Sequence, residues 1–221
     1  MEPAMIHKLE ADSIMLSFDG RKILSDIYVR SETGAITGLL GRNGAGKTCL
    51  MNAILGTMQC DRSVRIDGRV YYEAFMTRGV LSYLPQFEFI PRRLTVSKVL
   101  RDYEADSREL LDLFPQFSRL LHDRVGTLSA GEHRILEIFA VISRNTLFAI
   151  LDEPFSFLSP IQIEQVKKLI ATKKFRKGFI ITDHQYQHVL DITDSCYLLK
   201  DGKTHLVNSL DDLDRLGYIR L

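Results

Sequence analysis

The stretch G-R-N-G-A-G-K-T at residues 41–48 decides the fold of this chain. It matches the pattern G-x-x-x-x-G-K-[S/T] and stands where that pattern has to stand, after an apolar run at 35–40 that reads as a strand and before a helical pattern at 47–55. Glycines at 41, 44 and 46 let successive backbone N–H groups turn inward on phosphate oxygens, and the start of the helix adds its partial positive charge. In such a loop Lys47 reaches the β- and γ-phosphates of a nucleotide, and Thr48 offers its hydroxyl to Mg2+. A glycine-rich turn with no ligand is the plain alternative, and the strand and helix on either side count against it.

The chain of 221 residues is long enough for one large α/β domain with a sizeable core. Lys and Arg (29) nearly balance Asp and Glu (28), a net charge of +1 that gives no overall pull toward nucleic acid or an anionic membrane. Cys49, Cys60 and Cys196 are odd in number and lack metal-like spacing, which fits reduced thiols in a cytosol. Residues 1–13 carry charges every few positions and no apolar core of a secretory signal, and no run approaches the ~20 apolar residues of a membrane span.

Upstream of the loop, residues 6–30 often alternate apolar and polar around the turn Asp19-Gly20, the pattern of antiparallel strands. Downstream, 63–66 and 70–72 flank Asp67-Gly68 as a hairpin, and 80–84 reads as a strand ending at Pro85. From 95 to 114 the spacing turns helical. The run L-S-A-G-E at 128–132 opens a helix with Ser129 as its cap and Glu132 three residues on, a capping box. Residues 147–151 form a wholly apolar strand that ends in Asp152-Glu153-Pro154, so two acids stand at the carboxyl end of a buried strand, where open α/β sheets bind ligands. A helix at 161–170, a second buried strand at 178–182 ending in Asp183-His184, a hairpin around Asp201-Gly202 and a closing helix at 211–216 complete the series.

With these motifs in order, the chain resembles an ATP-binding cassette (ABC) ATPase subunit over nearly its whole length. The resemblance rests on the phosphate loop at 41–48, Gln86 after the strand, the signature at 128–132, the strand end L-F-A-I-L-D-E-P at 147–154, the turn at 155–160, and His184. It implies an α/β fold with a RecA-like P-loop core, an antiparallel β lobe and a short inserted α-helical sub-domain. One ABC domain over 1–221 then divides into core and lobe (1–86 and 128–221) and sub-domain (87–127). The cofactors implied are ATP and Mg2+.

Chemistry assigns the site. Asp152 can hold Mg2+ with Thr48, and Glu153 can orient and deprotonate the attacking water, although two acids at a strand end could instead cap the next helix. The resemblance adds Gln86 to the Mg2+ ligands. By resemblance Gln86 is a ligand that moves with the helical sub-domain, and His184 bonds the γ-phosphate. Gly41, Arg42, Asn43, Gly44, Ala45, Gly46, Lys47, Thr48 and Cys49 line the phosphates. Phe18, 23 residues before Gly41, stands where the family puts a ring under adenine, a position that packing alone could also explain. Ser129, Gly131 and Glu132 belong to the signature, which in the family closes the site of a second subunit in a head-to-tail homodimer. Three departures stand out: Ala130 for a commoner glycine, Cys49 for a second hydroxyl, and Ser159 where the family has an aspartate.

The resemblance therefore implies an ATP-hydrolysing subunit on the cytoplasmic face of a membrane, driving separate integral membrane transporter subunits, with no nucleic acid partner. Within the family, Y-L-P-Q, I-P-R-R-L-T-V, L-D-E-P-F and I-T-D-H are most similar to the lipopolysaccharide-export and branched-chain amino-acid transporter ATPases. Phe87, Phe89, Ile90 and Leu94 beside Gln86 read as a groove for a helix of the membrane partner. A slow nucleotide-binding regulator, suggested by Ser159, and a non-transport cassette protein are the other classes this sequence admits.

Overall fold

The computed structural model describes residues 5–220; residues 1–4, part of the stretch 1–13 in which no secretory signal is expected, and residue 221 lie outside the described residues. Two sheets follow the two kinds of sequence pattern. The first is antiparallel and built around the long strand β1 (Lys8–Phe18), which pairs with β2 (Arg21–Leu24) at one end and β3 (Tyr28–Glu32) at the other. Ser13, at φ 53, lies in a stretch of β1 where the pairing with the next lobe strand shifts register. The two strands that complete this lobe are taken up below in chain order.

The second sheet contains the apolar strands. From the chain start it takes β4 (Ile36–Leu40), which leads into the phosphate loop and α1 (Lys47–Leu55). The chain then returns to the lobe with β5 (Asp61–Ile66) and β6 (Arg69–Val70), a hairpin whose first strand starts earlier and whose second ends sooner than the sequence pattern suggests. It re-enters the second sheet as β7 (Leu81–Leu84), β8 (Phe148–Asp152), β9 (Gly178–Thr182), β10 (Ser195–Lys200) and β11 (Lys203–Val207). The order across the sheet is β11-β10-β4-β9-β8-β7, parallel throughout except for the edge strand β11. All five residues of β4, β8 and β9 are buried, as interior parallel strands covered on both faces demand.

Successive residues of these strands serve opposite cores. Ile36, Leu40, Ala149, Leu151, Phe179 and Ile181 join the helical side, while Leu39, Phe148, Ile150 and Ile180 join α1 and the β lobe. The helical side is one apolar cluster that runs from Val96, Val99 and Phe114 into Ile135, Phe139 and Val166.

The helical pattern at 95–114 resolves into two helices, α2 (Val96–Asp102) and α3 (Ser107–Leu113). Each has its own cap: Thr95 Oγ1 accepts from Lys98 N at 3.3 Å, and Asp106 Oδ1 accepts from Arg108 N at 2.8 Å. Glu104 at φ 54 breaks the run between them. Two short 3-10 turns then lead to α4 (Ala130–Ser143), followed by α5 (Pro160–Lys174), α6 (Tyr186–Leu190) and α7 (Leu210–Arg215). No helix among the described residues is long and apolar enough to cross a membrane.

The docking groove expected beside Gln86 is only partly exposed. Phe87 is 72% exposed, but Ile90 is buried in the helical core, and Phe89 packs edge-on against Tyr103 with ring centroids 6.3 Å apart. Apolar spacing in a short loop does not distinguish a side chain that faces out from one that anchors the loop.

Candidate nucleotide site

Three parallel strands, β4, β9 and β8, deliver the site from their carboxyl ends. After β4 the loop at 41–48 turns through Gly44 and Gly46, at φ 78 and 100, a region open to glycine. Gly41 is required for a different reason, since a Cβ there would lie 2.8 Å from the Leu199 carbonyl. Gly46 is the N-cap of α1 and supplies no side-chain cap, so the first-turn amides remain available to an anion. Lys47 curls back along the loop, its Nζ donating to the carbonyls of Gly41 at 2.7 Å and Arg42 at 3.3 Å. Burial pulls its pKa below the ordinary lysine value, and the facing carboxylates of Glu153, Asp152 and Asp183 oppose that shift.

Asp152 meets the loop across the end of the intervening strand β9. Its Oδ2 accepts from Thr48 Oγ1 at 3.2 Å and from the Tyr83 hydroxyl at 3.4 Å. Burial raises the pKa of Asp152, and the raised pKa of Tyr83 has the same cause first, with the Asp152 charge second. A desolvated carboxylate beside a threonine hydroxyl is the hard-oxygen pair a magnesium ion takes, and the residues fit one. Among the described residues there is no group of three or more His, Cys, Asp or Glu that could hold a metal ion.

Glu153 sits at φ 52, with its N–H bound to the Thr182 carbonyl at 2.8 Å. One carboxylate oxygen, Oε2, gathers Gln86 Nε2 at 3.0 Å, Ser156 Oγ at 3.3 Å and His184 Nδ1 at 3.6 Å. The structure therefore brings together Lys47, Thr48 and Asp152 on one side and Gln86, Glu153 and His184 on the other. His184 is half exposed, with its Nδ1 3.3 Å from Asp183 Oδ1. Asp183 is fully buried and braces the turn after Glu153, accepting from the N–H groups of Phe155 and Gln185, each at 2.9 Å.

The remaining expected residues lie around this centre. Phe18 is 49% exposed at the end of β1. A cavity of about 490 Å³ flanks the outer side of the loop between Arg21, Lys22, Arg42, Gly44, Lys200 and Tyr218, and Phe18 does not line it. Asn43 and Ala45 also line that cavity. Cys49 is half-buried, and burial raises its thiol pKa. Ser129 is exposed and caps α4, with its N–H and Oγ donating to Glu132 Oε2 at 2.9 and 2.8 Å, while Oγ accepts from Glu132 N at 3.3 Å. Gly131 is buried against the turn after the acids; a Cβ there would lie 3.1 Å from the Phe157 carbonyl and 3.0 Å from Gln162 Oε1. Ser159 supplies the cap of α5, accepting from Gln162 N at 3.4 Å while Gln162 Oε1 accepts from Ser159 N at 2.8 Å.

Sequence reasoning missed Tyr83, Ser156, Asp183 and Arg134. Arg134 is buried in α4 and donates through Nη1 to the Pro85 carbonyl at 2.9 Å and through Nη2 to the carbonyls of Asp152 at 2.7 Å and Glu153 at 3.0 Å. The available signal was its position: Arg134 and Glu137 are charges three apart next to the apolar run of α4.

A glycine loop on a parallel sheet, a buried aspartate facing its threonine and a second acid with polar partners define a P-loop nucleotide-binding protein. Residues 24–156 match the family model described as ABC transporter. The chain is similar to the lipopolysaccharide export system ATP-binding protein LptB of Haemophilus influenzae, 34% identical over 213 residues with 88% of each chain covered. It is 32% identical over 216 residues to LptB of Escherichia coli K12, covering 90% of this chain and 88% of the relative. Its fold is similar to a solved ATP-binding subunit of an ABC transporter, at TM-score 0.79 and 22% identity, with 96% and 95% of the two chains covered. It is also similar to an ATP-binding cassette in its ADP conformation, at TM-score 0.75 and 20% identity, with 95% and 94% covered. The chain belongs to the ABC transporter family; it is an ATP-binding, ATP-hydrolysing subunit of that family.

Proposed function

We propose that this chain powers transport by hydrolysing ATP between two copies of itself while docked on integral membrane subunits at the cytoplasmic face. The observation that carries the reading is the pairing of the Lys47-bearing loop with Asp152 through Thr48, beside a Glu153 whose carboxylate is held by Gln86 and Ser156. In this reading Lys47 and the amides of residues 41–49 bind the β- and γ-phosphates, and Phe18 stacks on adenine. Thr48, Asp152 and Gln86 would hold Mg2+, which when bound offsets the charge on the β- and γ-phosphates. Glu153 accepts the proton of the attacking water as its oxygen bonds to the γ-phosphorus and the bond to ADP breaks, and His184 donates to a γ-phosphate oxygen. Ser129 and Gly131 meet the γ-phosphate bound by the second subunit. Lipopolysaccharide, named for the curated relatives, is the first cargo to examine.

The experiment is Glu153→Gln. It keeps the side-chain shape but cannot take the water's proton, so ATP should bind and persist, trapping a dimer around two nucleotides. Light scattering after size exclusion should show dimer with Mg-ATP and monomer with ADP, with hydrolysis lost. A variant that hydrolyses ATP at the wild-type rate would place the base elsewhere. Wild-type protein that already forms a persistent ATP dimer would favour the slow regulator.

A further inference from the structure

We propose that Arg134 is a positioning residue for hydrolysis, and that with Glu137 it clamps the segment carrying Gln86 against the backbone carrying Glu153. The inference rests on the reading of Glu153 as the base. Both side chains are at most 4% exposed, and Arg134 Nη1 lies 3.3 Å from Glu137 Oε2. Their outer contacts divide in an ordered way. Arg134 takes the carbonyl of Pro85, one residue before Gln86, and Glu137 takes the N–H of Phe89 at 2.8 Å, three residues after it. One ion pair therefore grips the Gln86 loop at both ends. The other arm of the same guanidinium takes the carbonyls of Asp152 and Glu153.

These contacts explain how the Gln86–Glu153 distance is set. Glu153 has a left-handed backbone, which a residue with a Cβ keeps only where its surroundings fix both peptide groups. Its N–H is fixed by Thr182 and its carbonyl by Arg134. Gln86 is 3.0 Å from the carboxylate and belongs to a loop held by the same guanidinium, so a shift in Arg134 moves donor and acceptor relative to each other. A lysine can keep the charge opposite Glu137 but not the planar fork that reaches three carbonyls at once. Arg134 makes none of its hydrogen bonds to the phosphate loop, so its effect should fall on the rate and spare nucleotide affinity.

The test is Arg134→Lys in the full chain, with ATP affinity, kcat and melting temperature measured together. We expect kcat to fall tenfold or more while the ATP Kd stays within about threefold and the protein still melts cooperatively. Glu137→Gln, which leaves the Arg134 contacts with the three carbonyls and an acceptor for the Phe89 N–H in place but removes the charge and the oxygen that accepts from Arg134 Nη1, should cost threefold or less in kcat. Arg134→Lys at the wild-type rate would overturn the proposal. So would losses of affinity, rate and melting temperature in step, which mark fold support alone, or a Glu137→Gln defect as large as that of Arg134→Lys, which would place the effect in the buried charge. Failure of the base reading appears separately, as Glu153→Gln retaining activity.

Discussion

Lys177 shows how a single residue away from the site shapes stability. It is 5% exposed, its Nζ donating to the Arg144 carbonyl at 2.6 Å and to Thr146 Oγ1 at 3.0 Å, and burial beside Lys173 and Arg144 pulls its pKa down to about 7. Below that value both folded and unfolded chains carry the proton, and the folded state bears the full desolvation cost. Between about 7 and the ordinary lysine value of 10.5 the unfolded chain binds the proton more tightly, so stability rises with pH. Urea unfolding at pH 7, 8 and 9 should show wild-type protein gaining about 1 to 2 kcal/mol relative to Lys177→Met across that range. Parallel pH dependences in the two proteins would remove Lys177 as the source. At this scale the sequence was most legible where chemistry is local: the loop glycines, Lys47, Thr48 and the paired acids all stand where their spacing implied. Arg134 and Ser156 were not legible, because what defines them is a set of contacts with backbone and carboxylate groups 18 to 49 residues away or across a turn.

Among the elements, α5 answers the most conspicuous departure from the family pattern. Ser159 stands where the family resemblance would put an aspartate, yet a serine oxygen is as good an N-cap, and here it forms a full capping box with Gln162 around Pro160. Ser159→Ala should destabilise the protein by about 0.5 to 2 kcal/mol in urea unfolding, and Ser159→Asp should keep the cap. An alanine variant as stable as wild type would mean that the cap contributes nothing and that Ser159 matters, if at all, only between subunits. Elements with strong periodicity, such as α4 and the buried strands, were readable, whereas the 95–114 run was not, because Asp106 starts a second helix within what looks like one amphipathic stretch. The short helix α6 escaped notice because five residues are too few to establish a period.

For the whole molecule, Phe87 marks the exposed part of the face beside Gln86. Burial of Ile90 means that a charge there would damage the helical core, so Phe87 is the residue that can report on docking. Phe87→Glu should abolish recruitment to membranes carrying the partner while ATP affinity stays within twofold; recruitment that survives would place the contact elsewhere. The sheet also limits how this chain can change in length. Each inner strand feeds alternate side chains to two different cores, and β8 ends on Asp152. Adding or deleting one residue inside β8 would exchange the occupants of both cores and carry the acids off the loop in one step. Tolerated length variation is thereby channelled to segments such as 71–80, which is irregular and mostly exposed, so that relatives of this protein can diverge in outline there while the distance between loop and acids stays the same.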